Sequence, residues 1–334
     1  MISVIIPVFN EEKYIGSCIK SLLEQDYDIH DMEWIFVDGG SEDRTVEIIE
    51  QYRNGHPSLI RILKNQNKTV PYAMNIGIAN SHGRYIIRLD AHAEYAKDYF
   101  SKCVFYLDTV DAENVGGIIE TKSKTKMGSS IAKMLSSRFG VGNSQFRTNG
   151  KSGYVDTVPF GAFKREVFSK YGGYDERLTR NQDNEMNYRI RKNGGKIYLA
   201  NDIKLSYFCR DTVREISSMA RKNGKWNIIT MKLCPGSMGI RHFVPLFFVV
   251  SIPLLFGLGF AWWPIWALLL SELSLYLLMD LFFSIKGCDS FSSFFSLAFL
   301  FPVFHFNYGF GSIVGLFSLF SKKYKKNGYS PTKI

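Results

Sequence analysis

Apolar positions follow two different patterns along the chain, and the change falls near residue 235. Before it, short apolar runs alternate with stretches in which apolar residues recur every three or four positions, as strands and amphipathic helices do. "SVIIPVF" (3–9) reads as a buried strand. The "NEEKYIGSCIKSLLEQ" that follows puts Ile15, Cys18, Ile19, Leu22 and Leu23 on one helical face, with Asn10 as N-cap and Glu11 and Glu12 in the first turn. "WIFVD" (34–38) is the next strand, and Ser41 caps a helix through "EDRTVEIIEQY". "LIRIL" (59–63) is a third strand, "PYAMNIGIANS" a helix opened by a proline, and "RYIIRLD" (84–90) a fourth strand. This alternation predicts a parallel sheet wrapped by helices.

Beyond residue 235 the pattern is continuous. Phe243 to Trp263 contains no charged side chain and ends in Trp262 and Trp263, which suit a membrane interface. Pro264 to Ile285 is a second candidate span and carries Glu272 and Asp280. Charges at membrane depth must face protein or water, so Glu272 is read as functional or snorkelling and Asp280 as near the interface. Phe291 to Phe320 is apolar apart from His305 and is interrupted by Pro302, Gly309, Gly311 and Gly315. That stretch is short for two crossings at ~20 residues each. It crosses once, or lies re-entrant or in the interface. The expected organisation is a cytosolic α/β domain over 1–235, a membrane region of two or three hydrophobic helices over 236–321, and a basic tail over 322–334.

Charge sharpens this division. The net charge is +10, and Arg221, Lys222, Lys225, Lys232 and Arg241 precede the first apolar span while Lys322, Lys323, Lys325 and Lys326 follow the last. Basic residues at membrane flanks mark the cytoplasmic side and attract anionic lipid head groups, so membrane lipids are expected partners and nucleic acid is not. Met1 runs directly into a strand pattern without the basic and apolar regions of a signal peptide, so the N-terminal portion is expected to stay in the cytosol. The five cysteines have no C-x-x-C spacing, against both a disulfide frame and structural zinc.

In parallel sheets of this kind, ligands bind beyond the carboxyl ends of the strands. Pro7 to Asn10, Asp38 with Gly39 and Gly40, and Asp90 to His92 all fall at such ends. No G-x-G-x-x-G and no P-loop follows the first strand. A carboxylate-rich edge without a glycine cradle would need a divalent cation to hold a nucleoside diphosphate.

"VIIPVFNEEKYIGSCIKSLLEQ", "FVDGGSEDRTVEII", "NIGIANSHGRYIIRLDAH", "GAFKREVFSKYGGYDERLTRNQDNEMNYRIRKNGGKI" and "KNGKW" resemble, in order and spacing, family 2 glycosyltransferases of the GT-A fold. The resemblance covers roughly residues 1 to 230 and is nearest to membrane-attached enzymes of bacterial exopolysaccharide assembly, of the succinoglycan-biosynthesis type. It implies that Asp38 contacts the base or ribose of a nucleotide-sugar, with Pro7 and Phe9 lining that pocket and Glu11 beside it. Asp90 corresponds to the first carboxylate of the family's D-x-D. His92 stands where the second is usual, a departure that leaves metal identity open and leans towards Mn²⁺ over Mg²⁺. Asp183 matches the catalytic base, although Gln182 replaces the commoner Glu before it, and Glu185 is the reserve. Lys222, Lys225 and Trp226 match a degenerate Q-x-x-R-W on the diphosphate and acceptor side, and can equally be juxtamembrane anchors. Gly161, in "PFGAF", matches an acceptor-side turn that allows close approach of the sugar.

The resemblance implies an inverting, metal-dependent hexosyltransferase at the bacterial inner membrane. Its donor would be a nucleotide-sugar, a UDP-sugar in first place, and its acceptor a glycan on polyprenyl diphosphate. A processive polysaccharide synthase and a non-catalytic nucleotide-sugar or lipid-glycan binding subunit are the alternatives, the latter motivated by His92 and Gln182. A nucleotidyltransferase is disfavoured by the missing triphosphate loop.

Overall fold

The computed structural model describes residues 1–148 and 150–321; the expected basic tail lies outside the described residues. The chain begins with β1 (Ile2–Val8), α1 (Ile15–Leu23), β2 (Met32–Asp38), α2 (Thr45–Gly55), β3 (Ile60–Lys64), α3 (Val70–Ala79) and β4 (Tyr85–Arg88). It continues through β5 (Ala93–Tyr95), α4 (Tyr99–Thr109), β6 (Asn114–Lys122), α5 (Lys126–Leu135) and α6 (Arg138–Val141). Next come β7 (Gly153–Tyr154), β8 (Ala162–Lys164), α7 (Glu166–Tyr171), α8 (Gln182–Lys192) and β9 (Ile197–Phe208). The last helices are α9 (Val213–Leu233), α10 (Val244–Gly259), α11 (Pro264–Gly287) and α12 (Phe291–Ser318).

Two compact units result. Of the described residues, the first takes those up to Glu120 and from 150 to Phe208, and the second takes Thr121–Thr148 and 209–321. The first unit holds a sheet of order β3-β2-β1-β4-β8-β6-β9-β5, with β7 paired to β9. β1 runs parallel to β2 and β4, and β2 to β3, while β8 joins antiparallel to β4. β1 and β2 are buried along nearly their whole length, which is why their apolar residues form runs instead of alternating, with Ser3, Glu33 and Asp38 the polar exceptions. Trp34, Phe36, Phe100 and Phe163 are among its fully buried side chains.

Helix α1 buries Ile15, Cys18, Ile19 and Leu22, as its periodicity requires. It starts later than the sequence suggests, with Tyr14 at its N-cap. Asn10 is no cap: its φ is +56°, its amide donates to Ser41 Oγ at 3.0 Å, and its side-chain oxygen accepts from Glu42 N at 2.9 Å. Ser41 is likewise occupied, since its hydroxyl donates to Asp38 at 2.7 Å and α2 begins at Thr45. Both expected caps are spent joining the two strand-end loops.

The second unit departs from a boundary at 235. Ile131 and Leu135 of α5, Ile216 and Ala220 of α9, and Leu297, Leu300, Phe301 and Phe304 of α12 form one buried cluster. Amphipathic α5 and α9 thus bury their apolar faces against the last hydrophobic helix. The fit is close: a Cβ on Gly224 of α9 would strike the Tyr308 backbone and sit 2.8 Å from Ser312 N, so a glycine is required where the helices cross.

Helices α11 and α12 are long and apolar enough to cross a membrane; α10 is shorter. Leu270, Leu275, Leu278 and Phe282 of α11 are exposed, an apolar face too large for water. α12 runs unbroken through Pro302. Glu272 does not snorkel: it accepts from Ser251 Oγ of α10 at 2.6 Å, and its second oxygen is buried. Asp280 is buried, within reach of Ser284 at 3.4 Å. Charge divides between the units as well. The described second unit has 14 Lys and Arg against 5 Asp and Glu, whereas the first has 22 against 26, so the positive charge belongs to the unit with the apolar helices. All five cysteines are free.

Candidate active site

Three strand ends of the first unit supply its polar edge. β1 ends opposite Asp38 of β2, with Val8 facing Asp38 in register and Gly39 N donating to Val8 O at 2.9 Å. Pro7 is half-buried there, and the Phe9 ring is 46% exposed, an aromatic face free to stack on a base. Asp38 is buried and turned into its own loop, where it accepts from Gly40 N at 3.0 Å, Ser41 N at 3.0 Å and Ser41 Oγ at 2.7 Å. With those three donors bound, a carboxylate of about four lone-pair sites keeps one for a ligand. Glu11 is fixed at its backbone, its amide donating to Thr45 Oγ1 at 2.7 Å.

The third end is built by β4. Arg88 and Asp90 are two residues apart and therefore share a face of the extended chain. Arg88 Nη2 donates to Asp90 Oδ1 at 3.2 Å, and Arg88 Nη1 forms an ion pair with Asp183 in the first turn of α8. The arginine side chain is only 5% exposed, whereas Asp90 and Asp183 are 20% and 29% exposed. A guanidinium so deeply buried needs partners, and the two carboxylates provide them. Arg88 Nε–H is buried without an acceptor. Phe160 lies over the guanidinium at 5.8 Å and has φ +46°, a left-handed conformation costing a bulky residue roughly 1–3 kcal/mol. Burial pushes the Asp183 carboxyl above its ordinary value; Arg88 opposes this and the Asp90 charge adds to it.

Other predicted residues have different occupations. The His92 ring is engaged at both nitrogens, Nδ1 with Glu11 Oε1 at 3.0 Å and Nε2 with the Tyr207 hydroxyl at 3.0 Å. Burial works against its charge, but Tyr207, Glu11 and Asp90 outweigh it and push His92 up to about 10. The reserve Glu185 is buried and held bidentate by Arg189 at 2.8 Å for each contact, which leaves it no role as a base. Packing alone already requires Gly161, because a Cβ there would collide with the Asn114 amide and lie 2.7 Å from the Phe163 ring. Lys222, Lys225 and Trp226 lie on α9 of the second unit, Lys222 exposed and Trp226 half-buried.

Arg88, on which both carboxylates converge, is the site residue that sequence reasoning missed. A cation inside the apolar run "YIIRLD" was the available signal, since it must find buried carboxylates.

Divalent ions at nucleotide sites are commonly held by one or two carboxylates together with substrate phosphates. Asp90, partly exposed at a strand end, suits an ion shared with a donor's phosphate oxygens. A cage of protein atoms alone does not fit, because no three His, Cys, Asp or Glu side chains converge among the described residues. His92 offers no free lone pair while Glu11 and Tyr207 hold it.

A parallel sheet with a carboxylate at the nucleotide edge, extended by antiparallel strands and carrying a second carboxylate on a following helix, is the GT-A architecture of nucleotide-sugar transferases. Glycosyl transferase family 2 matches residues 3–172, and the chain belongs to that family. A dolichyl N-acetyl-alpha-D-glucosaminyl phosphate 3-beta-D-2,3-diacetamido-2,3-dideoxy-beta-D-glucuronosyltransferase of Methanococcus voltae is 32% identical over 221 residues, 64% of this chain and 68% of that one. The succinoglycan biosynthesis protein ExoA of Rhizobium meliloti is 28% identical over 209 residues, 62% of this chain and 63% of that one. The fold is similar to the mannosyltransferase PcManGT of Pyrobaculum calidifontis, solved with GDP-Man and Mn²⁺ (TM-score 0.63, 16% identity, 95% of this chain and 87% of that one covered).

Proposed function

We propose that this glycosyltransferase is an inverting, membrane-attached enzyme that moves a sugar from a nucleotide-sugar to a glycan on a polyprenyl phosphate or diphosphate carrier. One observation carries the proposal: a donor-side carboxylate, Asp90, and an acceptor-side carboxylate, Asp183, meet at Arg88. Phe9 stacks on the donor's base, Pro7 lines the pocket and the open lone pair of Asp38 receives a base or ribose donor group. Asp90 would hold Mn²⁺ or Mg²⁺ together with the diphosphate, and the ion would supply neutralisation of the leaving group's charge. Ligation by His92 would require it to release Glu11 or Tyr207, so His92 instead orients Glu11.

Asp183 accepts the proton of the acceptor hydroxyl. The hydroxyl oxygen bonds to the anomeric carbon from the side opposite the diphosphate, the carbon–oxygen bond to the diphosphate breaks, and configuration inverts. A single base serves this displacement and no covalent nucleophile is needed. The basic unit with the apolar helices anchors the enzyme at the cytosolic face of the membrane, with Lys222, Lys225 and Trp226 serving lipid phosphate. The lipid-phosphate acceptor named for the Methanococcus relative supports this choice of acceptor.

The test uses the full chain in lipid with UDP-glucose, UDP-N-acetylglucosamine and GDP-mannose, lipid extracted from membranes, and Mn²⁺, Mg²⁺ or EDTA. Metal-dependent nucleotide release, lost in Asp183→Asn by about 10²–10⁴-fold, is the expected result. Donor binding without turnover under every condition would favour a binding subunit.

A further inference from the structure

We infer that Arg88 is a positioning residue for sugar transfer: one buried guanidinium anchors both the donor-side Asp90 and the acceptor-side Asp183, and thereby aims the proton acceptor at the donor site. This rests on the reading of Asp183 as the base.

Among the other arginine–carboxylate pairs of the same unit, Arg61–Glu33 spans 28 residues and Arg84–Asp108 spans 24, whereas those of Glu185 and Asp175 are local. Arg189 holds Glu185 one turn away on α8, and Arg177 holds Asp175 two residues away. In both of these pairs the carboxylate is the more buried partner. Arg88 reverses that arrangement. It reaches Asp183 across 95 residues of sequence, and the arginine is buried while both acids remain open to solvent. Each carboxylate is therefore held by a buried cation while keeping part of its own surface exposed.

The support for the guanidinium is equally specific. β4 lies between β1 and β8, with Ile5 facing Arg88 in the parallel register and Arg88 N donating to Gly161 O at 3.1 Å. The strained Phe160 covers the guanidinium face, and its ring stacks on Tyr207 at 6.2 Å. The unpartnered Nε–H shows that the side chain is oriented by its two carboxylates and not by the best use of all its donors. Lysine keeps the charge but lacks the planar fork that holds two acceptors at fixed positions.

The full-length protein in phosphatidylcholine–phosphatidylglycerol vesicles is compared as wild type, Arg88→Lys, Arg88→Gln and Asp183→Asn. Turnover of the same donor panel is followed against pH, UDP and GDP binding by calorimetry, and the fold by thermal unfolding. The Asp183 carboxylate is followed by infrared difference spectra of ¹³C-Asp protein, with Asp183→Asn assigning the band. Arg88→Gln is expected to move the Asp183 titration and the acid limb of kcat upward, because the cation that lowers it is gone, so that part of the loss is recovered on the alkaline side. Arg88→Lys keeps the limb near its wild-type position with lower kcat, and weakens nucleotide binding no more than Arg88→Gln does. An unmoved Asp183 band in Arg88→Gln, a loss uniform across pH, or wild-type kcat in Arg88→Lys would overturn the inference. Should Arg88→Gln not fold, Arg88→Lys decides alone. Full turnover in Asp183→Asn would instead remove the reading of the base.

Discussion

His92 and Glu11, 81 residues apart in sequence, are joined by a 3.0 Å hydrogen bond between Nδ1 and Oε1. The bond ties the loop after β4 to the loop after β1, and the Tyr207 hydroxyl on β9 completes the link at Nε2. A group at the position of the family's second metal-binding carboxylate thus holds two loops together.

This predicts a charged imidazole at neutral pH. The His92 ring protons should titrate by NMR near 10, well above the ordinary 6.5, and Glu11→Gln should lower that value. A folded-state value above the unfolded one means stability that is complete below pH 6.5 and declines as pH rises towards 10. Chemical unfolding across that interval should show the decline in the wild type and a weaker one in Glu11→Gln. A His92 titration near 6.5 would remove the charged link.

Glu185→Gln separates structure from chemistry. Removing one partner of the buried Glu185–Arg189 pair should cost about 3–5 kcal/mol of stability. Turnover per folded molecule should remain, because Arg189 occupies both Glu185 oxygens. Thermal unfolding and kcat measured on the same preparation check both parts; a loss of kcat without a loss of stability would return Glu185 to candidacy.

Gly224→Ala should force α9 and α12 apart. The new methyl would meet main chain at Tyr308 and Ser312, where no flexible side chain can give way. Overpacking of this kind costs about 1–3 kcal/mol. The expected readout is a lower unfolding midpoint in lipid, with donor affinity unchanged.

Cutting the chain at residue 235 should fail to yield a soluble catalytic domain. Ile131, Leu135, Ile216 and Ala220 would lose the α12 residues that cover them, leaving an exposed apolar patch. Light scattering of the 1–235 fragment, with the full chain in lipid as reference, should show association. A monodisperse fragment would mean that α5 and α9 can cover each other unaided.

The parallel sheet was legible because its strands are short apolar runs and its helices keep period 3.6: Ile15, Cys18, Ile19 and Leu22 are all buried. The strand-end positions of Asp38 and Asp90 were legible for the same reason. What each polar group does there was not, because Asn10 bonds to Ser41 and Glu42 across 31 and 32 residues of sequence and no local pattern encodes that pairing. Arg88 was hidden by its own strand, whose neighbours Ile86 and Ile87 are fully buried. The boundary at 235 followed the change in hydropathy, but the apolar faces of α5 and α9 come before that change and belong with what lies after it.

That nesting sets a timetable for synthesis. Phe139 follows α5 closely, yet the His305 that its carbonyl meets at 2.9 Å is made 166 residues later. At ribosomal speed the interval is roughly 10–30 s, long against the microseconds to seconds in which small domains fold. Throughout it, the apolar sides of α5 and α6 wait for a partner that has not yet been translated, exposed to chaperones and proteases and dependent on the bilayer to receive the last helices in time.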